Sequence, residues 1–281
     1  MAERRSETIS PTAHYTGYVW FANGLSHPAF ATREGKLFYE ALRPANAASK
    51  MLGGPTLEGM LLARHRVIDH LLSRAIEDGR VSQIVEVAAG LSPRGWRFTS
   101  RHGETITYVE ADLPEMAARK REILRGATSE TEHHRVVEID ALADDGPRSI
   151  GAICEALDPS RGVAIITEGL LNYFDAGNVR GMWKRFAAAL ARFPHGLYLA
   201  DLSIASESGG PLAAMFATML GVFVRGKVHV HFQDAAHAES ELVAAGFASA
   251  TLHRPVDFTS DVGEVEESGA SRVRIVEALS K

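Results

Sequence analysis

A short apolar strand that runs into a glycine turn is the first place where this sequence could do chemistry. In the stretch VEVAAGLSPRG, residues 85–95, Gly90 would let the backbone turn sharply and approach a ligand. Ser92 and Pro93 have the residue types of a helix N-cap and first helical position, so free N–H groups would face a polar or anionic ligand. The stretch predicts a ligand-binding turn, with a connection that binds nothing as the alternative.

Two familiar functions of such a turn are disfavoured by its spacing. It lacks the full G-x-G-x-x-G fingerprint of dinucleotide-binding proteins. A nucleophile elbow needs G-x-S-x-G, and the segment from Gly90 through Ser92 to Gly95 is one residue too long. Ser92 is therefore predicted to cap a helix rather than to act as a nucleophile.

Acidic side chains stand at the end of the next predicted strand, in YVEADLPEM. Asp112 follows Gly90 at about the spacing expected of a carboxylate that accepts hydrogen bonds from two ribose hydroxyls. Glu110 lies two residues earlier and would point the same way. We expect this pair to bind a ribose. The alternative is that one of them caps the helix that begins at Pro114.

Arg64 is the most informative single residue. It shares one face of a predicted helix with apolar residues, so its side chain points toward the core. A buried guanidinium needs an anion, which could be a ligand carboxylate or a structural acid. The apolar residues on that face are Leu57, Leu61, Ile68 and Leu71.

Two further acids end neighbouring strands, Asp140 after the third and Glu168 after the fourth. Carboxylates in these positions suit a ligand rich in donors, such as an adenine amine or an α-ammonium group; structural roles are the alternative. The segment TEGLLNYF adds Tyr173, which an exposed turn could place near a reacting atom. His229 and His231 share one face of an extended stretch, but their spacing forms no recognised metal motif, so no metal is expected.

The elements that must position these residues follow an alternating order. Five segments have the apolar composition of buried strands, at 83–89, 105–111, 135–140, 163–169 and 196–202. Helical stretches at 114–125, 149–157 and 179–191 separate most of them, and a helix capped by Thr56 and closed by Gly79 precedes them. This order predicts an α/β fold with a mostly parallel sheet, helices on both faces and a C-terminal β-hairpin. Ligands of such sheets bind beyond the carboxyl ends of the strands.

Composition narrows the class of partner. The chain has 281 residues, 46% of them hydrophobic, and a formal net charge of −5 without a long basic run. These values argue against a nucleic-acid or membrane partner. The single cysteine, Cys154, excludes an intramolecular disulfide, and the charged N-terminus lacks a signal-peptide core. A cytoplasmic protein is expected.

Residue composition divides the chain into two predicted regions. Residues 1–55 are rich in aromatic residues and read as a helical lid or extension, and residues 56–281 form the main domain. An apolar insertion at about 203–233, centred on residues 215–223, would cover a substrate. Plain packing or a homodimer contact is the alternative for both apolar segments.

Five segments in order resemble the leucine carboxyl methyltransferase family: LLARHRVIDHLL, VEVAAGLSPRGWR, YVEADLPEMAARKREIL, VVEIDALAD and ITEGLLNYF. The resemblance spans about residues 55–205. It implies the Rossmann-like fold of class I S-adenosylmethionine-dependent methyltransferases, with a seven-stranded sheet. It further implies S-adenosyl-L-methionine as cofactor and S-adenosyl-L-homocysteine as product. The members of the leucine carboxyl methyltransferase family include protein phosphatase methyltransferases and bacterial O-methyltransferases of secondary metabolism.

The resemblance also assigns roles. Arg64 would hold the methionine carboxylate, and Glu168 would meet the ammonium group. The turn would pass beneath the methionine part, Asp112 would bind the ribose, and a pair at the third strand would frame the adenine. The turn is Ala88, Ala89 and Gly90, and the adenine pair is Asp140 and Ala141.

Departures from the family pattern bear on the substrate. Ala88 replaces the usual first glycine of the turn, and Ser92 replaces an aspartate. The N-terminal segment HYTGYVWFANGLSHP does not match the phosphatase enzymes, which favours a small-molecule acceptor over a protein. The predicted reaction is methyl transfer to a carboxylate, oriented by an Arg or by Tyr173, or to a hydroxyl, which would need a base. The candidate bases are His14, His27, His229 and His231.

Two other functions stay open at this point. A non-catalytic protein on the same fold would act through partners. An NAD-dependent dehydrogenase is disfavoured because the dinucleotide fingerprint is missing and a C-terminal hairpin is predicted.

Overall fold

A computed structural model describes residues 11–127, 132–207, 229–263 and 266–280. Its strands are β1 (Gln83–Val87), β2 (Thr107–Asp112), β3 (His134–Glu138), β4 (Val163–Thr167), β5 (Gly196–Leu202), β6 (Ser249–His253) and β7 (Arg274–Leu279). Its longer helices are α1 (Pro11–Ala22), α2 (Arg33–Met51), α3 (Leu57–Glu77), α4 (Arg94–His102), α5 (Pro114–Ala127), α6 (Ile150–Glu155), α7 (Ala176–Leu190) and α8 (Ala235–Ala245).

The seven strands form one sheet in the order β3-β2-β1-β4-β5-β7-β6. Strands β1 to β5 run parallel, and β7 pairs antiparallel with both β5 and β6. The predicted α/β fold with a mostly parallel sheet and a C-terminal hairpin is therefore confirmed. The carboxyl ends of β1, β2 and β4 lie side by side, at the edge where the candidate site residues were expected.

Alternation along the strands explains why helices cover both faces of the sheet. Ile84 and Ile166 pack on the face of α3, whereas Val85 and Ile165 pack on the face of α6 and α7. Every residue of β1 and β4 is buried. Strands buried along their whole length are typical of a parallel sheet with both faces covered.

Helix α3 follows the predicted boundaries. The Thr56 hydroxyl caps it by accepting a hydrogen bond from the Gly59 N–H at 2.9 Å. Beyond its last residue, Gly79 adopts a φ of +70°, which glycine reaches without steric cost. The apolar face predicted from Leu57 to Leu71 is buried, and this burial directs Arg64 into the protein.

The N-terminal segment is helical, as predicted, and lies over the glycine turn. Helix α1 packs on α2 and α3, and its Tyr15 and Val19 are fully buried. A β-carbon built on Gly90 would lie 3.8 Å from the Ala13 methyl group. Helix α1 is therefore a wall beside the turn after β1. The domain boundary at residue 55 and the role of a lid stay predictions.

Much of the predicted apolar cover lies outside the described residues, which resume at His229 after Glu207. Within the described ranges, no helix has both the length and the apolar character needed to cross a bilayer.

Candidate ligand-binding site

The turn after β1 holds an uncommon backbone. Ala88 and Gly90 have φ values of +55° and +49°, and Ala88 is the one residue other than glycine with a positive φ in the described chain. Helix α4 begins at Arg94 with Pro93 as its N-cap. Ser92 lies one residue earlier, and its hydroxyl accepts a hydrogen bond from the Arg94 N–H at 3.3 Å. The prediction of Ser92 as N-cap is thus wrong by one position, because Pro93 takes that place.

Asp112 meets this turn directly. Its Oδ2 accepts a hydrogen bond from the Gly90 N–H at 2.7 Å, and its Oδ1 accepts one from the Leu113 N–H at 2.7 Å. Burial raises the pKa of the Asp112 carboxyl above its ordinary value. The structure therefore brings together the glycine turn and the acid at the end of β2.

Glu110 lies elsewhere. It is completely buried, and its carboxylate pairs with Lys120 at 2.6 Å and His134 at 2.9 Å. Burial alone would raise the pKa of Glu110, but the Lys120 ammonium group and His134 hold it below its ordinary value. Glu110 sits inside the strand under helix α5, whereas Asp112 is the last residue of β2. The expectation that both bind one ribose is therefore corrected: Glu110 has no face open to a ligand.

Lys120 explains how α5 fixes the turn. Its ammonium group donates hydrogen bonds to the backbone oxygens of Gly90, at 3.1 Å, and Ser92, at 2.6 Å. Its ion pair with Glu110 compensates the burial of both charges. Lys120 thus holds the turn through two of its carbonyl groups. Its ammonium group bonds protein atoms and is not a ligand-binding group.

Arg64 binds two acids at the ends of β4 and β5. Its Nε donates to Glu168 Oε1 and its Nη1 donates to Asp201 Oδ2, each at 3.0 Å. Within the described residues, its Nη2 makes no hydrogen bond. The structural acid and the ligand carboxylate, left as alternatives for Arg64, are therefore compatible. Two nitrogens are held by protein, and one stays open.

Glu168 is bound by three side chains. Besides Arg64, its Oε2 meets His65 Nδ1 at 2.9 Å and Arg94 Nη2 at 2.5 Å. Burial alone would raise its pKa, but His65, Arg94 and Arg64 hold the pKa well below the ordinary value. Both carboxylate oxygens are thus occupied. Glu168 therefore holds Arg64, and its expected contact with a ligand ammonium group stays a prediction.

Arg94 is the centre of a buried ionic network. Its side chain has no exposed area, and it donates to Asp69 at 2.6 Å, Glu86 at 2.5 Å and Glu168 at 2.5 Å. Arg97 adds a second contact to Asp69 at 2.6 Å. The network ties α3 and α4 to the ends of β1 and β4. A charged residue at the first position of a helix gives no periodic signal, so the sequence pattern did not point to Arg94.

The residues that follow β3 are the more exposed part of the candidate site. Asp140 is exposed, and its Oδ1 accepts a hydrogen bond from the Leu142 N–H at 3.0 Å. Ala141 is half-buried against the apolar cluster of the α6 face. The Ile139 N–H donates to the Asp112 carbonyl at 2.9 Å, which places this segment beside the end of β2.

Tyr173 lies in the short 3₁₀ helix Leu171–Tyr173 after β4, and two candidate histidines pack on that segment. The His229 N–H donates to the Asn172 carbonyl at 2.9 Å, and His231 Nε2 lies 2.5 Å from the Phe174 carbonyl. Burial lowers the pKa of His231.

The other two candidate bases make local contacts. His14 Nδ1 bonds the Thr32 hydroxyl at 2.8 Å, and His27 accepts from the Ala29 N–H at 3.2 Å. Of the four, His229 and His231 are therefore the pair beside Tyr173. In the described part of the chain, no group of three or more His, Cys, Asp or Glu could hold a metal ion.

The fold is that of the class I S-adenosylmethionine-dependent methyltransferases. A DUF574 family protein from Streptomyces avermitilis superposes with a TM-score of 0.64 at 15% identity, over 96% of this chain and 97% of that one. A protein from Thermobifida fusca, provisionally named a methyltransferase, gives 0.62 at 13% identity, over 96% and 98%. At these identities the likeness concerns the fold.

Residues 21–187 match the leucine carboxyl methyltransferase family. The match covers more than half of the chain, so the chain belongs to this family. The match begins at residue 21, before the segments that carry the resemblance, so it includes residues 21–55 of the aromatic-rich N-terminal region.

Curated relatives agree with this membership. A Rhodococcus jostii protein, provisionally named an S-adenosyl-L-methionine-dependent methyltransferase, is 32% identical over 65% of this chain and 57% of its own length. A Mycolicibacterium smegmatis protein with the same type of name is 40% identical over 41% and 37%. The chain thus matches less than two thirds of the length of either relative.

Replacing Ala88 with glycine tests the strain in the turn. A side chain in the left-handed region costs about 1–2 kcal/mol, and the added freedom of glycine in the unfolded chain offsets about 0.5–1 kcal/mol of that gain. We expect Ala88→Gly to raise the free energy of unfolding slightly, by roughly 0.5 kcal/mol. Urea denaturation measures the change. Ala88→Val is the matched opposite and should lower stability, and a Val variant as stable as wild type would contradict the strain.

Acid should weaken the buried ionic network. The pKa values of Glu168, Asp69 and Glu110 are depressed in the folded protein, so their stabilising effect is complete above the ordinary carboxyl values and is lost as pH falls below them. The free energy of unfolding should therefore fall as pH drops below 4.5, the ordinary value of Glu. Asp112, whose pKa is raised, opposes this trend. Urea titrations at a series of pH values measure it, and a flat curve to about pH 3 would contradict the assignment.

Proposed function

We propose that this protein is an S-adenosyl-L-methionine-dependent methyltransferase that methylates an oxygen atom of a small molecule. The observation that supports this most directly is the pairing of Asp112 with the Gly90 turn at the edge that also holds Arg64. Family membership adds the expectation of methyl transfer. The acceptor, a carboxylate or a hydroxyl, is part of the proposal.

The charged groups fit this cofactor. Arg64 Nη2 suits the carboxylate of the methionine part, and Asp112 suits ribose hydroxyls at the neighbouring strand. Ala88, Ala89 and Gly90 would lie along the ligand between them, and Asp140 with Ala141 would border the adenine. Each of these groups suits a carboxylate, a ribose or a base of the ligand, and none requires a phosphate.

A dinucleotide fits less well. Its diphosphate would need free N–H groups or a cation at the glycine turn. The Gly90 N–H is bonded to the Asp112 carboxylate, and the Lys120 ammonium is bonded to carbonyl groups and Glu110. The NAD-dependent alternative is therefore disfavoured by the turn itself.

When bound, the cofactor would supply a sulfonium methyl group for transfer to an acceptor oxygen: the O–CH₃ bond forms as the S–CH₃ bond breaks, and S-adenosyl-L-homocysteine leaves. The protein contributes position and the exclusion of water. Helix α1 closes one side of the turn, and Tyr173 would orient the acceptor. For a hydroxyl acceptor, His229 or His231 would take the proton, since both pack beside Tyr173.

Calorimetric titration tests the proposal. S-adenosyl-L-methionine and S-adenosyl-L-homocysteine should bind, and NAD should not. Binding of NAD alone would contradict the methyltransferase assignment. Binding of none would favour a non-catalytic member of the fold. Transfer of a labelled methyl group to panels of small phenols and carboxylic acids then identifies the acceptor, and label found only in a protein fraction would contradict the small-molecule proposal.

A further inference from the structure

We propose that Asp201, at the end of β5, is the positioning residue that makes Arg64 a selective receptor for a ligand carboxylate. This inference rests on the proposed function, because it specifies how the same site distinguishes the amino-acid end of its cofactor. It adds a strand-end acid to which neither the sequence analysis nor the family resemblance assigned a role.

Asp201 joins three elements with its two oxygens. Its Oδ2 accepts the Arg64 Nη1 hydrogen bond from α3 at 3.0 Å. Its Oδ1 accepts a hydrogen bond from the Gly169 N–H, after β4, at 2.5 Å. Asp201 itself is 8% exposed, so both bonds form away from bulk water. Charge-assisted bonds in such surroundings have strong directional preference.

The consequence for Arg64 is a fixed guanidinium plane. Glu168 holds Nε on one side and Asp201 holds Nη1 on the other, so the guanidinium group cannot rotate without breaking an ion pair. The planar fork then has Nη2 as its unbonded member among the described residues. A fixed, fully charged donor is the kind of group that selects a carboxylate over a neutral ligand.

Gly169 keeps the approach to that nitrogen open. A β-carbon built at this position would lie 2.9 Å from Arg64 Nη2, which is closer than real side chains come. The residue also has a φ of +71°, a conformation that glycine adopts most easily. Its N–H is the group that Asp201 binds. One aspartate therefore orients the receptor nitrogen and holds the small residue in front of it.

The ligand class that follows is an adenosine derivative with a free carboxylate at its sulfur end. S-adenosyl-L-homocysteine has this group, and 5′-methylthioadenosine shares the adenosine and the thioether but lacks it. If Asp201 acts through Arg64, its removal should weaken only the first ligand. A general structural role would weaken both.

Asp201→Asn is the test variant, with affinities for both ligands measured by calorimetry on the full chain. The asparagine oxygen can keep the Gly169 bond, while its NH₂ group faces the Arg64 donor and cannot accept from it. We expect the Kd for S-adenosyl-L-homocysteine to rise about 10-fold or more, as for loss of a bond to a charged group. The Kd for 5′-methylthioadenosine should change less than about 2-fold. An equal loss for both ligands overturns the proposal.

Asp69→Asn is the matched control. Asp69 is also 8% exposed and also binds arginines, but these are Arg94 and Arg97. Its substitution should lower stability and leave the ratio of the two Kd values unchanged. A shift of that ratio as large as in Asp201→Asn would contradict a specific role of Asp201.

A double-variant cycle completes the test. In an Arg64→Lys background, Asp201→Asn should cause little further loss of S-adenosyl-L-homocysteine affinity, because the two residues act as a unit. Additive losses would overturn the proposal. If Asp201→Asn does not fold, Asp201→Glu replaces it. It should likewise raise the Kd for S-adenosyl-L-homocysteine more than the Kd for 5′-methylthioadenosine. Wild-type protein that binds neither ligand would instead contradict the proposed function.

Discussion

Arg94→Met should lower the free energy of unfolding by about 3–5 kcal/mol, the usual cost of removing one member of a buried ionic network. Arg94 has no exposed area, and its three nitrogens serve Asp69, Glu86 and Glu168. Methionine fills much of the volume but leaves three carboxylates short of a cationic partner. Urea denaturation monitored by circular dichroism measures the change.

Arg97→Met is the matched comparison for that prediction. Its side chain is 20% exposed, and among the residues that the structure describes it forms an ion pair with Asp69 only. Exposed pairs contribute about 0–1 kcal/mol, and partial burial places this one near the upper end. Equal losses for the two variants would show that the network does not depend on Arg94 as its centre.

Asp112→Asn should weaken S-adenosyl-L-homocysteine binding by about 10- to 100-fold. A carboxylate can accept from two ribose hydroxyls, each bond to a charged group is worth about 1.5–3 kcal/mol, and 1.4 kcal/mol corresponds to a factor of 10. The asparagine oxygen can still accept the Gly90 N–H, so the turn should keep its shape. Calorimetry measures the affinity, and thermal unfolding checks the fold.

Asp158→Asn is the control for Asp112. Asp158 is an exposed acid that precedes β4, at the opposite edge of the sheet, and it bonds Ser160. Its substitution should leave ligand affinity unchanged. Unchanged affinity in Asp112→Asn as well would remove Asp112 from the binding site.

The sequence predicts the fold well because its signals are local. Alternating apolar strands and capped helices can be recognised without knowing their partners, and parallel strands then bring their ends to one edge. The adjacency of Asp112 and Gly90 follows from that rule. The insertion predicted to cover the site lies mostly outside the described residues and stays a prediction.

Side-chain partners were harder to predict. Helical spacing shows that Arg64 points inward, but it does not show that Glu168 and Asp201 would meet it from two other strands. The two-residue period of a strand places Glu110 and Asp112 on one side. It does not show that α5 brings Lys120 over Glu110 and stops short of Asp112. These contacts depend on distant segments, whereas the patterns are local.

The position of β7 carries a consequence for how the protein reaches its active shape during synthesis. β7 lies between β5 and β6, so the last of these seven strands in chain order is an interior member of the sheet. Until Arg274–Leu279 emerge from the ribosome, β5 is an unpaired edge that could associate with other chains. Asp201 pairs with Ile275 in that ladder. The receptor for the ligand carboxylate is therefore completed only after β7 has been made, and the nascent chain should gain ligand affinity only then.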